Sequence, residues 1–146
     1  MEQYLTEASS DAALEQLYRA TTYRIDSDAA VVDVRIGACQ AGVDALLTAF
    51  GVTDWAFITA WNPGSQPTDA ATNADAQGRL LACVRAAGFR CLEGRGIPDA
   101  PGWEPEPSVW IAGIDRTAAA RIGACFRQTA ILVGSMGGAA ELLFLE

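Results

Sequence analysis

The apolar segment 55–61 constrains the fold more than any other part of the sequence. It reads WAFITAW, and the turn residues Asn62-Pro63-Gly64-Ser65 end it abruptly. A short apolar run that is bounded by turn residues is typical of a strand buried on both faces. We therefore predict that residues 55–61 form a central strand of a β-sheet.

Helix-like and strand-like segments alternate along the rest of the chain. Apolar spacing and capping residues predict helices over 10–20 (capped by Ser9 or Ser10), 39–50 (ended by Gly51), 68–87 (ended by Gly88) and 116–126 (capped by Asp115). Further strands are predicted over 21–26, 30–36, 89–92, 108–114 and 129–133, whereas 139–145 fits a strand or a helix. This alternation predicts an α/β or α+β fold in which residues 1–146 form a single two-layer globular domain, with a mixed β-sheet flanked by helices.

Two glycine-rich segments separate these elements. Residues 93–107 contain three glycines and four prolines, which predicts a loop. The predicted loop is longer than most connections in compact domains, and loops of this length are often functional. Residues 134–138 lack the patterns of phosphate-binding loops and are predicted to form a plain turn.

The basic residues restrict the available chemistry. All ten are arginine, and the chain has no lysine and no histidine. This excludes a Schiff-base lysine, a histidine general base and a zinc site with a histidine ligand. No metal site is predicted, because the four cysteines are far apart and form no C-x-x-C pair; the sequence leaves open whether a divalent metal binds the carboxylates of Glu104 and Glu106. Carboxylates, amides, hydroxyls and arginine side chains remain as the main functional groups.

The charge and the cysteines indicate the setting of the protein. A net charge of -8 repels a phosphate backbone, so we expect no nucleic-acid partner. The N-terminus has no basic segment and no long apolar run, and no apolar stretch approaches membrane-spanning length, so we expect neither a secretory signal nor membrane insertion. The cysteines, Cys39, Cys83, Cys91 and Cys125, are predicted to be reduced and mostly buried, in a cytoplasmic protein.

Topology rules predict that several polar residues meet at one edge of the sheet. A helical crossover between strands 55–61 and 89–92 makes them parallel, and the 93–107 loop then returns strand 108–114 in the opposite direction. The end of strand 55–61 and the beginnings of strands 108–114 and 129–133 therefore share an edge, where ligands are often bound. The residues predicted at this rim are Asn62, Ser65, Asn73, Trp103, Glu104, Glu106, Ser108, Arg127 and Gln128.

Several segments of the chain resemble a bacterial family known as domain of unknown function 3293. They are FITAWNPGSQP (57–67), the Asn73 in the following helix, WEPEPSVWIAGI (103–114) and FRQTAILV (126–133), with YRATTYRI (18–25) upstream. Arg127 stands where the family pattern has glycine, and the helix after Asn62 has fewer arginines than that pattern. The resemblance implies that the polar motif residues occur together, and it implies no particular reaction.

Glu106 is the candidate catalytic residue. A carboxyl group in an apolar setting can have a shifted pKa, and without histidine a carboxylate is the obvious general base. Glu104 has the same side chain two residues earlier, but Glu106 belongs to the Glu-Pro-Ser motif and is favoured. A solvated loop glutamate is the alternative interpretation.

The candidate ligand-binding residues are amides, hydroxyls, one tryptophan and one arginine. Arg95 lies between two glycines of the predicted 93–107 loop and could bind an anion through two N–H groups of its guanidinium. The other arginines considered for this role, Arg24, Arg35 and Arg79, are more typical of surface ion pairs. The amides also have structural interpretations, because Asn62 suits a turn and Gln128 could satisfy that turn across the rim. The predicted ligand-binding set is Asn62, Ser65, Asn73, Arg95, Trp103, Ser108 and Gln128.

Two functions fit these observations. The first is binding of a small polar or anionic molecule at the rim, with Glu106 as acid or base for any reaction. The second is a non-catalytic interaction module, in which exposed tryptophans (Trp61, Trp103 and Trp110) contact a partner or a second copy of the chain. The sequence leaves open whether the protein is an enzyme, indicates no cofactor and is compatible with a homo-oligomer.

Overall fold

The structure is a computed structural model that describes residues 7–145, with side chains from residue 12 onward. The helices are α1 (Glu7–Arg19), α2 (Ala41–Phe50), α3 (Ala70–Ala86) and α4 (Arg116–Cys125), and a 3-10 turn covers Pro63–Ser65. The strands are β1 (Thr21–Asp26), β2 (Val31–Val34), β3 (Asp54–Ile58), β4 (Arg90–Pro98), β5 (Glu106–Ala112), β6 (Ala130–Ser135) and β7 (Glu141–Phe144). These strands form one sheet, and the fold is α+β, which confirms that option of the predicted fold class.

The sheet has the strand order β2-β1-β4-β5-β3-β6-β7. Each pair of neighbouring strands is antiparallel, so β3 and β4 run in the same direction on either side of β5. The helices α3 and α4 are the crossovers that make this possible. The end of β3 therefore meets the beginnings of β5 and β6 at one edge, as the sequence predicts. The beginning of β1 lies at the same edge, because β1 is antiparallel to β4.

The sheet curls until its two outermost strands, β2 and β7, come close to each other. Ile36, which follows β2, forms a parallel bridge with Ala140, which precedes β7. The Gly37 amide also donates to the Ala140 carbonyl oxygen at 2.8 Å. Within the described residues, this bridge is the only parallel pairing, so the mixed character that we predicted is confined to it. The curl gives the sheet a concave and a convex face.

Each face of the sheet has its own core. On the convex face, α3 and α4 cover the sheet, and Leu80, Val84 and Ala119 are fully buried there. On the concave face, Val43 and Leu47 of α2 fill one end. Burial of a Leu or Val side chain stabilises the fold by roughly 1.5–3 kcal/mol, so both layers contribute substantially. The opposite end of the concave face, at the rim, is not filled by α2.

The predicted loop 93–107 is wrong in its first half. Residues up to Pro98 continue β4, and only 99–105 connect β4 to β5. Glycine favoured a loop in the sequence, but Gly94 is needed for close packing within the sheet. A Cβ atom at Gly94 would lie 2.5 Å from the Arg24 carbonyl oxygen and 2.9 Å from the Phe57 ring. The absence of a side chain therefore lets β1 and β3 approach this strand.

Other predicted boundaries also differ from the structure. Ser9 and Ser10 lie inside α1 and do not cap it. The central strand β3 ends at Ile58 because the next polar backbone groups bond to side chains, such as the Ala60 amide that donates to Gln77 Oε1 at 3.0 Å. Gly134 and Ser135 belong to β6, and the ambiguous C-terminal segment is a strand. None of the described helices is long and apolar enough to cross a membrane.

Candidate functional site

A cavity of about 190 Å³ opens at the rim of the curled sheet. Tyr23 and Phe57 form part of its inner wall, and Leu14, Leu17 and Tyr18 of α1 cover it from one side. The sequence placed most of the candidate residues at this rim, and the structure brings six of them to the cavity lining. These are Asn62, Ser65, Trp103, Glu106, Ser108 and Gln128.

Asn73 does not line the cavity but positions Asn62, which does. Its side chain is 1% exposed and donates to Asn62 Oδ1 at 2.8 Å and to the Thr68 carbonyl oxygen at 3.1 Å. Its own Oδ1 accepts the Asn62 backbone amide at 2.9 Å. Asn62 Oδ1 also accepts the Thr68 amide at 3.0 Å. These bonds occupy the side-chain oxygen of Asn62, Oδ1, and leave the side-chain NH₂ group to face the cavity.

Glu106 is the only charged residue in the described lining of the cavity. Burial raises the pKa of its carboxyl group, and a hydrogen bond from the Asn62 amide partly opposes this. That bond is long, with 3.4 Å between Asn62 Nδ2 and Glu106 Oε2. A carboxyl group that is poorly solvated and only weakly bonded can accept a donor from a ligand or exchange a proton with it.

The raised pKa of Glu106 predicts a pH-dependent effect of Glu106→Gln on stability. Below about pH 4.5 the carboxyl group is protonated in both the folded and the unfolded states. As pH rises further, the unfolded state loses its proton first, so wild-type stability falls until the folded-state pKa is passed. Glutamine cannot ionise. We therefore expect Glu106→Gln to gain stability relative to wild type between pH 4 and pH 8.

Chemical denaturation at these two pH values measures this change as a difference in the free energy of unfolding. Glu104→Gln is the matched control, because Glu104 is exposed and its replacement removes the same charge two residues away. A difference between Glu106→Gln and wild type that stays constant over this pH range would contradict the burial of Glu106.

Three hydroxyl groups lie together beside the carboxyl group. Ser65 Oγ and Thr129 Oγ1 are 2.8 Å apart and share a hydrogen bond. Burial raises the pKa of the Tyr18 phenol, the neighbouring Ser65 and Thr129 hydroxyl groups partly oppose the rise, and the nearby Glu106 charge adds to it. Tyr18 is therefore a neutral phenol in the cavity lining. The sequence pattern does not single out Tyr18, because the residue fits an apolar position of the first predicted helix.

Gln128 and Ser108 have mainly structural contacts. Gln128 Nε2 donates to the carbonyl oxygens of Trp61 and Phe126, both at 3.3 Å. Ser108 Oγ donates to the Glu106 carbonyl oxygen at 3.0 Å. The Gln128 bonds join the segment after β3 to the end of α4, whereas the Ser108 bond lies within β5. They favour the structural interpretation of Gln128, although its Oε1 has no partner in the described residues.

The connection 99–105 carries Trp103 over the cavity and is held at its beginning by Arg35. Arg35 donates to both carboxylate oxygens of Asp99, at 2.8 and 3.0 Å. The same guanidinium also donates to Thr22 Oγ1 and to the Arg19 carbonyl oxygen, each at 3.2 Å. A planar guanidinium suits such a paired contact. Arg35 therefore fastens the connection to the end of α1.

The structure does not bring Arg95 to the rim. Arg95 lies within β4, is exposed, and its nearest carboxylate is that of Asp26, at 3.8 Å. Glu104 is also exposed and does not line the cavity. The other arginines that were candidates for anion binding also form ion pairs with aspartates, in the pairs Arg24–Asp33, Arg35–Asp99 and Arg79–Asp75. No cluster of three metal-ligating side chains occurs in the described part of the chain.

Two predictions about exposure are wrong. Trp110 is fully buried, so the tryptophan patch of the alternative function does not form; Trp61 is half-buried, and Trp103 is 44% exposed. The cysteines are free, as predicted, but they are not mostly buried. Cys39, Cys83 and Cys125 are exposed, and Cys91 is half-buried. Trp110 faces inward because antiparallel pairing places it on the concave face opposite Phe57.

The backbone at the rim holds unusual conformations. Three non-glycine residues with positive φ occur in the described chain, Asn62 at 46°, Ser65 at 61° and Arg127 at 57°, and all three are here. A side chain in this region costs about 1–2 kcal/mol, and such residues often occur at functional sites. The Gly64 amide donates to the Arg127 carbonyl oxygen at 2.7 Å and joins the two strained segments.

Comparison with known families matches the same part of the chain. The model of the family described as "Protein of unknown function (DUF3293)" matches residues 58–131, just over half of the sequence. The chain belongs to this family. In this DUF3293 protein the matched segment extends from the end of β3 to the beginning of β6 and includes Asn62, Glu106 and Gln128, whereas Tyr18 lies outside it. No match was found among curated proteins or among solved structures.

Proposed function

We propose that this protein binds a small, uncharged and largely apolar molecule in the rim cavity, and that Glu106 contacts its polar end. The observation that carries the proposal is a single buried carboxyl group in a cavity with aromatic and aliphatic walls. Ligand sites are typically concave, mostly apolar and equipped with a few polar groups. A perturbed carboxyl group in such a cavity is a candidate functional group.

The charge of the cavity argues against an anionic ligand, which is one of the two ligand classes that the sequence predicts. No arginine contributes to the described lining, and the one charged residue, Glu106, is acidic. A buried anion without a cationic partner is costly. We therefore propose an uncharged ligand, and Glu106 is the group we propose as acid or base for any reaction of that ligand.

The size of the cavity limits the ligand. A dry protein cavity of about 150 Å³ holds benzene. The cavity at the rim is somewhat larger, at about 190 Å³. It therefore suits a single six-membered ring with one or two substituent atoms. Trp61, Trp103 and Phe57 provide flat surfaces against which such a ring can pack.

Benzyl alcohol and benzoate test the proposal, because they differ mainly in the charge of the substituent. We expect benzyl alcohol at ten times its Kd to stabilise the protein by about 1.4 kcal/mol, which raises Tm by a few degrees. Benzoate at the same concentration should give a much smaller shift. Differential scanning fluorimetry at pH 7 measures both.

Gly96→Val is the control for the location of binding. Gly96 lines the cavity, and the nearest atom to a Cβ there would be 3.8 Å away, so the valine side chain occupies ligand space without a severe clash. We expect this variant to fold and to lose the shift with benzyl alcohol. The proposal fails if wild type shows no shift, or if the shift persists in Gly96→Val.

A further inference from the structure

We propose that the ligand is a planar ring with an N–H donor next to a carbonyl acceptor, as in a cyclic amide, with Glu106 accepting the N–H and Tyr18 donating to the carbonyl oxygen. This inference rests on the proposed function and adds the chemical class of the ligand and a second recognition residue. It is carried by the juxtaposition of one carboxyl group and one phenol hydroxyl in the same small cavity.

The Tyr18 hydroxyl group is placed to donate to a ligand. The Ser65 and Thr129 hydroxyl groups are its neighbours; they share one hydrogen bond at 2.8 Å, and the one proton of the pair that remains is available to the Tyr18 oxygen. A phenol oxygen that accepts from neighbours keeps its own proton for a further acceptor. The Tyr18 ring is also fixed, because it packs edge-on against Phe144 with 6.2 Å between the ring centroids. Phe144 therefore restrains the direction in which this donor points.

The Glu106 carboxyl group is placed to accept from the same ligand. Only Oε2 has a partner, the Asn62 amide at 3.4 Å, and Oε1 has none in the described residues. Asn62 itself cannot turn away, because its backbone amide and Oδ1 are both bonded to Asn73. The carboxylate therefore has free acceptor capacity at a fixed position.

A cyclic amide satisfies both groups without introducing a charge. Its N–H and C=O are adjacent on one edge of a flat ring, so one small molecule can occupy the acceptor and the donor together. A ring of this kind fits the limit of about 190 Å³ and packs against Trp61 and Trp103. An amine would use Glu106 but leave the Tyr18 proton without an acceptor, which lowers its affinity.

Three small ring compounds test this inference. 2-Pyridone has both groups, 1-methyl-2-pyridone has only the acceptor and aniline has only the donor. We expect 2-pyridone to bind about fivefold to tenfold more tightly than either of the others, which is the effect of one net hydrogen bond. Titrations that follow the indole N–H resonances of Trp61 and Trp103 give the three dissociation constants.

Tyr18→Phe removes only the hydroxyl group and separates the two interactions. We expect it to weaken 2-pyridone and 1-methyl-2-pyridone by about fivefold to tenfold and to leave aniline unchanged, so aniline is the internal control. A dispersed amide spectrum establishes that the variant is folded.

The outcomes distinguish this inference from the proposed function. The cyclic-amide inference is overturned if wild type binds all three compounds equally. It is also overturned if Tyr18→Phe does not reduce the preference for 2-pyridone over aniline. In either case the binding cavity stands. If neither these compounds nor benzyl alcohol perturb Trp61 and Trp103, the proposed function itself fails. Equal or tighter binding of aniline than of 2-pyridone indicates an amine ligand and also overturns the inference.

Discussion

Replacement of Asn73 by alanine is expected to lower the free energy of unfolding by about 3 kcal/mol. Asn73 makes three buried hydrogen bonds, two to Asn62 and one to Thr68, and each is worth roughly 1 kcal/mol net. For a chain of this size the loss corresponds to a decrease in Tm of about 10 °C. Thermal and urea denaturation measure it.

Asn73→Asp tests whether the lost hydrogen bonds or the lost volume causes the effect. Aspartate has nearly the same shape but cannot donate to Asn62 Oδ1 or to the Thr68 carbonyl oxygen. We expect it to be at least as destabilising as alanine. Thr72→Ala, at an exposed position of the same helix, is the control and should change stability by less than about 0.5 kcal/mol. A small effect of both Asn73 variants would show that the rim does not depend on this side chain.

Gly94→Ala is expected to destabilise the protein by about 3 kcal/mol or more. The new Cβ would lie 2.5 Å from the Arg24 carbonyl oxygen, and that backbone atom is held in the sheet by antiparallel pairing of β1 and β4. Phe57 blocks movement on the other side, since its ring lies 2.9 Å from the same point. Overpacking of this kind forces the backbone itself to shift. Urea denaturation measures the loss if the variant folds.

Gly96→Ala is the matched control for this prediction. Gly96 is on the same strand and the same buried face, but nothing lies closer than 3.8 Å to a Cβ at this position. We expect its stability to be within about 0.5 kcal/mol of wild type. If Gly94→Ala proves as stable as Gly96→Ala, the close approach of β1 and β4 is not required for folding.

The elements that the sequence predicts well are those with local signals. The bounds of β1 are as predicted, Gly51 ends α2 in a left-handed conformation, and the Asp115 side chain accepts the Ala118 amide at the start of α4. Capping and turn chemistry involve residues close in the chain, so neighbours in the sequence are enough to reveal them.

The position of the rim was predictable for a different reason. Crossover helices make the strands that they join parallel, which brings the ends of some strands and the beginnings of others to one edge. This rule predicts that Asn62, Glu106 and Gln128 lie at the rim, and all three line the cavity in the structure. Arg95 does not reach the rim because the first half of its predicted loop is part of β4, where the neighbouring Gly94 allows close packing against β1.

The sequence by itself determined the order of helices and strands, the edge at which the polar motifs gather and the absence of lysine and histidine from any site. These properties depend on local conformational preferences and on chain connectivity. The tertiary structure alone decided that the sheet curls until Ile36 meets Ala140, that a cavity remains at the rim, and that Tyr18 and Glu106 line it together. Such contacts join residues far apart in the chain, and their formation depends on how both faces of the sheet pack at once.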